Sequence, residues 1–165
     1  MSVVAVKKYK DKIVIGADSI IVTGDTQEKK KLAKLWRISD DLILGTAGYC
    51  SIGGLFKNYL VNHLPKTNDE DGYISLLGEF TEYLGKLKGE QKLEDNNFII
   101  VYKKKAFLIC GYYVREIKDY YAIGAGMDYA LSALYLKLDV KKAIEVACEL
   151  SIYCEKPINI ITIKK

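Results

Sequence analysis

Two short runs near the start of the chain are apolar on both faces, and this narrows the folds open to it more than any other feature. In residues 2 to 7 (Ser-Val-Val-Ala-Val-Lys), Val4 and Val6 share one parity and Val3 and Ala5 the other. In residues 12 to 19 (Lys-Ile-Val-Ile-Gly-Ala-Asp-Ser), Ile13 and Ile15 oppose Val14. Successive side chains of a strand point to opposite faces, so a sheet built from these strands has to be covered on both sides. The polar stretch Lys8-Tyr9-Lys10-Asp11 between them reads as a hairpin turn.

Two further strands are predicted at about residues 30 to 38 and 41 to 46, joined at Ser39-Asp40. After Gly48 the period lengthens. Ile52, Leu55, Phe56, Tyr59, Leu60 and Leu64 recur at helical spacing, as do Ile74, Leu77, Phe80, Thr81 and Leu84, with polar residues 65 to 72 between the two helices. Strand character returns at residues 97 to 102, 106 to 112 and 117 to 123, with turns at Lys103-Lys104-Lys105 and Val114-Arg115-Glu116. Gly124-Ala125-Gly126 punctuates the chain before helices around Tyr129 to Leu134 and Val140 to Leu150, the second N-capped by Asp139. A last strand covers residues 158 to 163. Grouped strands, grouped helices and two-sided sheets together describe two stacked antiparallel sheets with helices outside each, an α/β (α+β) four-layer αββα sandwich.

The length of 165 residues suits a single domain, residues 1 to 165, with no repeat or linker inside it. No stretch approaches the roughly 20 apolar residues of a membrane span, and the start lacks the basic and small-residue marks of a signal peptide, so a cytoplasmic location without membrane contact is expected. The formal charge of +4 is spread over lysine clusters with acidic residues between them, which argues for solvated ends and loops and against a nucleic-acid surface. Cys50, Cys110, Cys148 and Cys154 form no CxxC pair and are expected to be reduced, mostly buried thiols. The single histidine, His63, has no second histidine to share a site with and reads as a helix-end cap. No metal or cofactor is expected.

The residues with chemical potential gather near the amino terminus. A hairpin centred on Lys10 sets Ser2 directly across from Asp18, a hydroxyl beside a carboxylate. Lys34 shares its parity with Leu32, Trp36 and Ile38, and a lysine on an apolar face needs a partner, which Asp18 on the neighbouring strand can supply. Serine is small enough for Met1 to be removed, leaving a free α-amine on Ser2. Such amines titrate near ~8, and a neighbouring ammonium lowers that value by like-charge repulsion, leaving a neutral base for the serine's own hydroxyl. Gly45, followed by Thr46-Ala47-Gly48, offers a bare backbone N–H to a tetrahedral oxyanion.

Together, the Ser2-to-Asp18 hairpin, the Lys34 strand, Leu44-Gly45-Thr46-Ala47-Gly48, Tyr121-Ala122-Ile123-Gly124-Ala125-Gly126 with Tyr129-Ala130, and the last helix running through Tyr153 to Pro157 resemble the proteasome β subunits and HslV-like peptidases, which are N-terminal-nucleophile hydrolases. The resemblance spans nearly the whole chain. It implies the αββα fold and serine- or threonine-type hydrolysis of unfolded proteins or peptides. It also implies assembly into a homo-oligomeric ring that faces an ATP-driven unfoldase. It carries over Ser2 as nucleophile, Asp18 and Lys34 as its supporting pair, Gly45 as oxyanion donor, and Ile21, Leu32 and Ala47 as the lining of a substrate pocket. The chain departs from the pattern at Ala125, where active members carry serine, and at Ser151 and Cys154, where a supporting aspartate and serine would stand. The alternative is a catalytically silent ring subunit with a structural or regulatory role.

Overall fold

The structure is a computed structural model describing residues 2–24, 26–28, 33–87 and 92–164. Eleven strands occur among these residues: β1 (Val4–Lys8), β2 (Lys12–Ala17), β3 (Ile21–Thr23), β4 (Thr26–Glu28), β5 (Leu35–Arg37), β6 (Leu42–Ala47), β7 (Asn97–Tyr102), β8 (Lys105–Cys110), β9 (Tyr113–Glu116), β10 (Tyr120–Ile123) and β11 (Asn159–Lys164). The helices α1 (Cys50–Leu60) and α2 (Glu70–Lys86) separate β6 from β7, and α3 (Met127–Tyr135) and α4 (Val140–Leu150) separate β10 from β11. No helix among the described residues is long and apolar enough to cross a membrane.

The strands form two main antiparallel sheets, one ordered β10-β1-β2-β11 and the other β5-β6-β7-β8-β9, with β3 and β4 as a separate small hairpin. Parity in the sequence sorts the cores. Val4, Val6, Ile13 and Ile15 meet Ile43, Ile99 and Val101 between the sheets. Val3 and Ala5 turn the other way, onto Ala130, Leu134, Ile144 and Ala147 of α3 and α4. On the far side Leu42, Leu44, Phe98 and Ile100 pack on Phe56, Leu77 and Phe80 of α1 and α2. Residues 3 to 6 are consequently buried without exception, as two-sided strands must be in a four-layer sandwich. Each such Val, Ile, Leu or Phe contributes about 1.5–3 kcal/mol through burial.

The helix ends follow local chemistry. Asp139 caps α4 by accepting the Lys142 N–H (2.8 Å), and Asp69 caps α2 through Gly72 (2.9 Å). His63 covers the end of α1: its Nδ1 bonds the Tyr59 carbonyl (3.0 Å) while its ring stacks on Tyr59.

Three expectations need correction. The strand anticipated over 117 to 123 is shorter, β10 covering Tyr120–Ile123 alone. Val114-Arg115-Glu116, anticipated as a turn, belong with Tyr113 to the edge strand β9, and the chain crosses at Lys118-Asp119, the Ile117 N–H bonding Ala106 O on one side while Asp119 O accepts from Lys8 N–H on the other. The β3–β4 hairpin was not anticipated, because its second strand is polar and exposed. The first hairpin closes with Val4 opposite Ala17, one residue away from the anticipated register, so its turn centres on Lys10-Asp11. Of the strand anticipated at 30 to 38, Leu35–Arg37 is present, and residues 29 to 32 lie outside the described residues.

Candidate active site

The shifted register puts Asp18 opposite Val3, not Ser2, and its side chain exploits the position. Asp18 N–H donates to the Val3 carbonyl (3.2 Å), while the return bond, from Val3 N–H, goes to Asp18 Oδ1 (2.9 Å). The carboxylate thus stands in for its own carbonyl at the end of the ladder, and residues 18 to 20 turn away from the sheet. Oδ2 accepts from Ile20 N–H and Glu155 N–H, each at 3.3 Å. Oδ1 also accepts from the Lys34 ammonium at 2.9 Å, in an ion pair whose side chains are 0% and 5% exposed. A buried carboxylate with this many donors has its desolvation offset, which an ion pair alone seldom achieves.

Lys34 lies just before β5, its carbonyl accepting the Thr46 N–H (2.9 Å), and this pairing aims its side chain back across the sheet interface to Asp18. Ser2 is buried at the head of β1. Its carbonyl accepts the Gly126 N–H (3.1 Å), and Gly124, with φ +91°, comes so close that a Cβ there would lie 2.3 Å from the same carbonyl oxygen. Gly126 in turn could not carry a Cβ without meeting Cys154 Sγ at 2.5 Å. Gly124-Ala125-Gly126 is therefore a backbone cradle for the first described residue, with exposed Ala125 between its two obligatory glycines.

Ser2 and Lys34 open onto one pocket of about 180 Å³, whose wall includes Ile21, Trp36, Thr46 and Gly48. Of the three residues expected to line a pocket, Ile21 does. Leu32 lies outside the described residues, and Ala47 is buried in the core between the sheets and is absent from this wall.

Gly45 is placed differently from expectation. Thr46 donates its N–H toward Lys34, and N–H directions alternate along a strand, so the Gly45 N–H points at β7, where Ile99 is its register partner. Its missing side chain serves packing, since a Cβ would lie 2.6 Å from Val4 Cγ1. The glycine of this segment that lines the pocket is Gly48, two residues beyond Thr46. Gly48 lines the pocket with φ +130°, held by Asn96, whose carboxamide accepts from Tyr49 N–H and donates to Tyr49 O, both at 3.0 Å. Telling the two glycines apart needed the strand register, although the second glycine in Gly45-Thr46-Ala47-Gly48 was a usable signal.

The segment after α4 closes the site from behind. Ser151 Oγ accepts from Tyr153 N–H (3.2 Å), and Cys154 packs beneath Gly126. Burial, reinforced by the nearby Asp18 carboxylate, pushes the Cys154 thiol up to about 11 and the Cys148 thiol up to about 12. Both are thus protonated at neutral pH and are poor nucleophiles. All four cysteines are free, but against the expectation of mostly buried thiols only Cys154 is buried, Cys110 and Cys148 are partly buried, and Cys50 is exposed at the start of α1.

No protein-family model matches the sequence, and no curated protein matches it. Among solved structures the chain is similar to Thiobacillus denitrificans BPH in complex with epoxomicin (TM-score 0.86, 18% identity, 98% of both chains). It is similar to a second structure of Thiobacillus denitrificans BPH (TM-score 0.84, 19% identity, 98% of this chain and 97% of that one). It is also similar to eukaryotic HslV from Trypanosoma brucei (TM-score 0.77, 20% identity, 99% of both chains). The αββα sandwich fold is shared with these structures, HslV among them, over essentially the whole length.

Proposed function

We propose that this chain is a proteasome-like peptidase that hydrolyses peptide bonds with Ser2 as nucleophile once Met1 is removed, and that it works as a homo-oligomeric ring on unfolded proteins or peptides. The observation that carries this reading is the convergence of Ser2, Lys34 and Gly48 on one pocket, with Lys34 ion-paired to buried Asp18, in a fold shared with HslV. In this mechanism the neutral α-amine of Ser2 accepts the proton of Ser2 Oγ as the oxygen attacks the substrate carbonyl carbon. The carbonyl π electrons move onto oxygen, where the N–H of Gly48, in place of Gly45, stabilises the charge. Collapse breaks the carbon–nitrogen bond, the ammonium returns its proton to the leaving amine, and an ester on Ser2 remains. Water then repeats the sequence and frees the acid. The Lys34 ammonium favours the neutral form of a neighbouring amine and stabilises negative charge on the reacting oxygens.

Intact-mass measurement tests the reading. Incubation with an epoxyketone such as epoxomicin, the ligand of the similar BPH structure, is expected to modify a chain that begins at Ser2. Retention of Met1 with no adduct overturns it. An ATP-driven unfoldase partner and a cytoplasmic setting are part of the same proposal.

A second reading, a catalytically silent ring subunit, draws on Ala125, which supplies no hydroxyl between the cradle glycines, and on Ser151 in place of an acid. It requires assembly and biological role to survive Ser2→Ala unchanged. Peptide hydrolysis that disappears in that variant excludes it.

A further inference from the structure

β11 ends the first sheet. Among the described residues it pairs with β2 alone, so its outer edge has no strand beside it. The register fixes what that edge presents. Tyr9 N–H bonds Lys12 O and Asp18 N–H bonds Val3 O, so even-numbered residues of β2 bond toward β1, and Ile13, Ile15 and Ala17 bond toward β11. Their partners Ile163, Ile161 and Asn159 bond inward, which leaves the backbone N–H and C=O of Ile160, Thr162 and Lys164 pointing outward. The Thr162 carbonyl agrees with this direction, since it accepts from the exposed Arg37 guanidinium of β5 (3.0 Å). Soluble proteins usually blunt such an edge with proline, a bulge or charge. Residues 159 to 163 carry none of these, and Ile160 is 39% exposed.

Two grooves flank the edge, one on each face of the sheet. Val14, Val140, Ile158 and Ile160 line one of about 700 Å³ on the helix side, beside the start of α4. Leu35, Asn159 and Ile161 line the other, of about 390 Å³, on the side of β5, and it shares Ala33 with the pocket beside Ser2. A strand added to β11 alternates its side chains between these two faces, so its residues enter the two grooves in turn. Around the edge stand Lys12, Arg37, Lys141 and Lys164 against Asp11 and Asp139, and Asp139 is already engaged in capping α4.

We infer that the outer edge of β11 is an exosite that pairs with an extended segment of an unfolded polypeptide, apolar on both faces and flanked by carboxylates. The outward N–H and C=O groups supply the pairing, and the grooves take the side chains. A carboxylate on the segment can receive Arg37 when pairing frees it from Thr162. The pairing stands on the geometry of β11, and only its use in peptide hydrolysis rests on the proposed function.

Fluorescein-labelled Glu-Val-Ile-Val-Ile-Glu-amide is titrated into the full-length protein by anisotropy, and hydrogen exchange read by mass spectrometry locates it. Binding is expected, with slowed exchange in residues 158 to 164. N-methylation of the four central residues is expected to weaken binding at least tenfold, because it removes the strand's N–H donors and keeps its apolar side chains. Thr162→Pro, which deletes an outward N–H and no ladder bond, is expected to do the same with the fold retained. Lysine in place of both glutamates is expected to weaken binding about three- to tenfold, less so in about 0.5 M NaCl. Absence of binding, equal affinity after N-methylation, protection confined to other segments, or an edge already protected by a second copy overturns the inference. Binding at β11 by a protein that hydrolyses no peptide overturns only the hydrolytic reading, whereas hydrolysis without binding at β11 overturns only this one.

Discussion

Lys34 Nζ stands 2.9 Å from Asp18 Oδ1 inside the protein, with neither side chain more than 5% exposed. Removing one member of such a pair strands the other as an uncompensated buried charge. Asp18→Ala and Lys34→Ala are each expected to destabilise the fold by about 3–5 kcal/mol in urea unfolding. The paired replacement Asp18→Leu with Lys34→Met is expected to cost less than the sum of the single changes, because the two sites are coupled. Additive losses would show that the pair does not act as a unit.

Gly45 and Gly78 make a matched contrast. A methyl at Gly45 collides with Val4 Cγ1 between the sheets, whereas a methyl at Gly78 on α2 meets nothing within 4 Å. Gly45→Ala is expected to cost about 1–3 kcal/mol by overpacking, and Gly78→Ala to stabilise by about 0.5–1 kcal/mol through helix propensity. Chemical-denaturation midpoints check both signs.

Asn96 is fully buried, and its two bonds to the Tyr49 backbone fix the turn that carries Gly48. Asn96→Ala is expected to cost about 2 kcal/mol, one for each lost bond. Peptide hydrolysis, where present, is expected to fall through kcat more than KM, since the displaced N–H meets charge only in the transition state. A purely structural role would move the unfolding midpoint and leave kcat untouched.

The partly buried Cys148 and the buried Cys154 thiols give the stability a pH dependence. Burial raises Cys154 to about 11 and Cys148 to about 12. The folded protein therefore holds these protons more tightly than the unfolded chain, whose thiols titrate near ~8.5. Their contribution is complete below that value and is lost as pH climbs through about 11 to 12. Urea midpoints measured from pH 8 to 11 are expected to decline less steeply in Cys148→Ala/Cys154→Ala than in wild type. In alkylation at neutral pH, exposed Cys50 is expected to react well before Cys154.

These sites differ in how far the amino-acid order announces them. The four layers were legible because Val3 to Val6 are apolar on both parities, and α4 because Asp139 caps it where the period begins. The Lys34–Asp18 contact was legible because a lysine among apolar neighbours demands an acid. Register was not, since the polar turn around Lys10 and Asp11 closes equally well in adjacent alignments, and one step moved Asp18 from Ser2 to Val3. That the Gly45 N–H faces β7 was hidden by the same limitation, because the direction of an N–H belongs to the paired strand and not to the residue. The break between β9 and β10 was hidden by unbroken strand-forming residues on either side of a crossing that only two sheets in space can define.

The carbonyl of Ser2 is gripped by Gly124 and Gly126, and the carboxylate of Asp18 by Glu155 N–H, so the beginning of the polypeptide is finished by its end. A ribosome-bound chain lacking its last third holds Ser2, Asp18, Lys34 and Gly48 without the clasp that immobilises the first of them. The geometry of the candidate site is therefore set only once residues 124 to 155 have packed against the first strand.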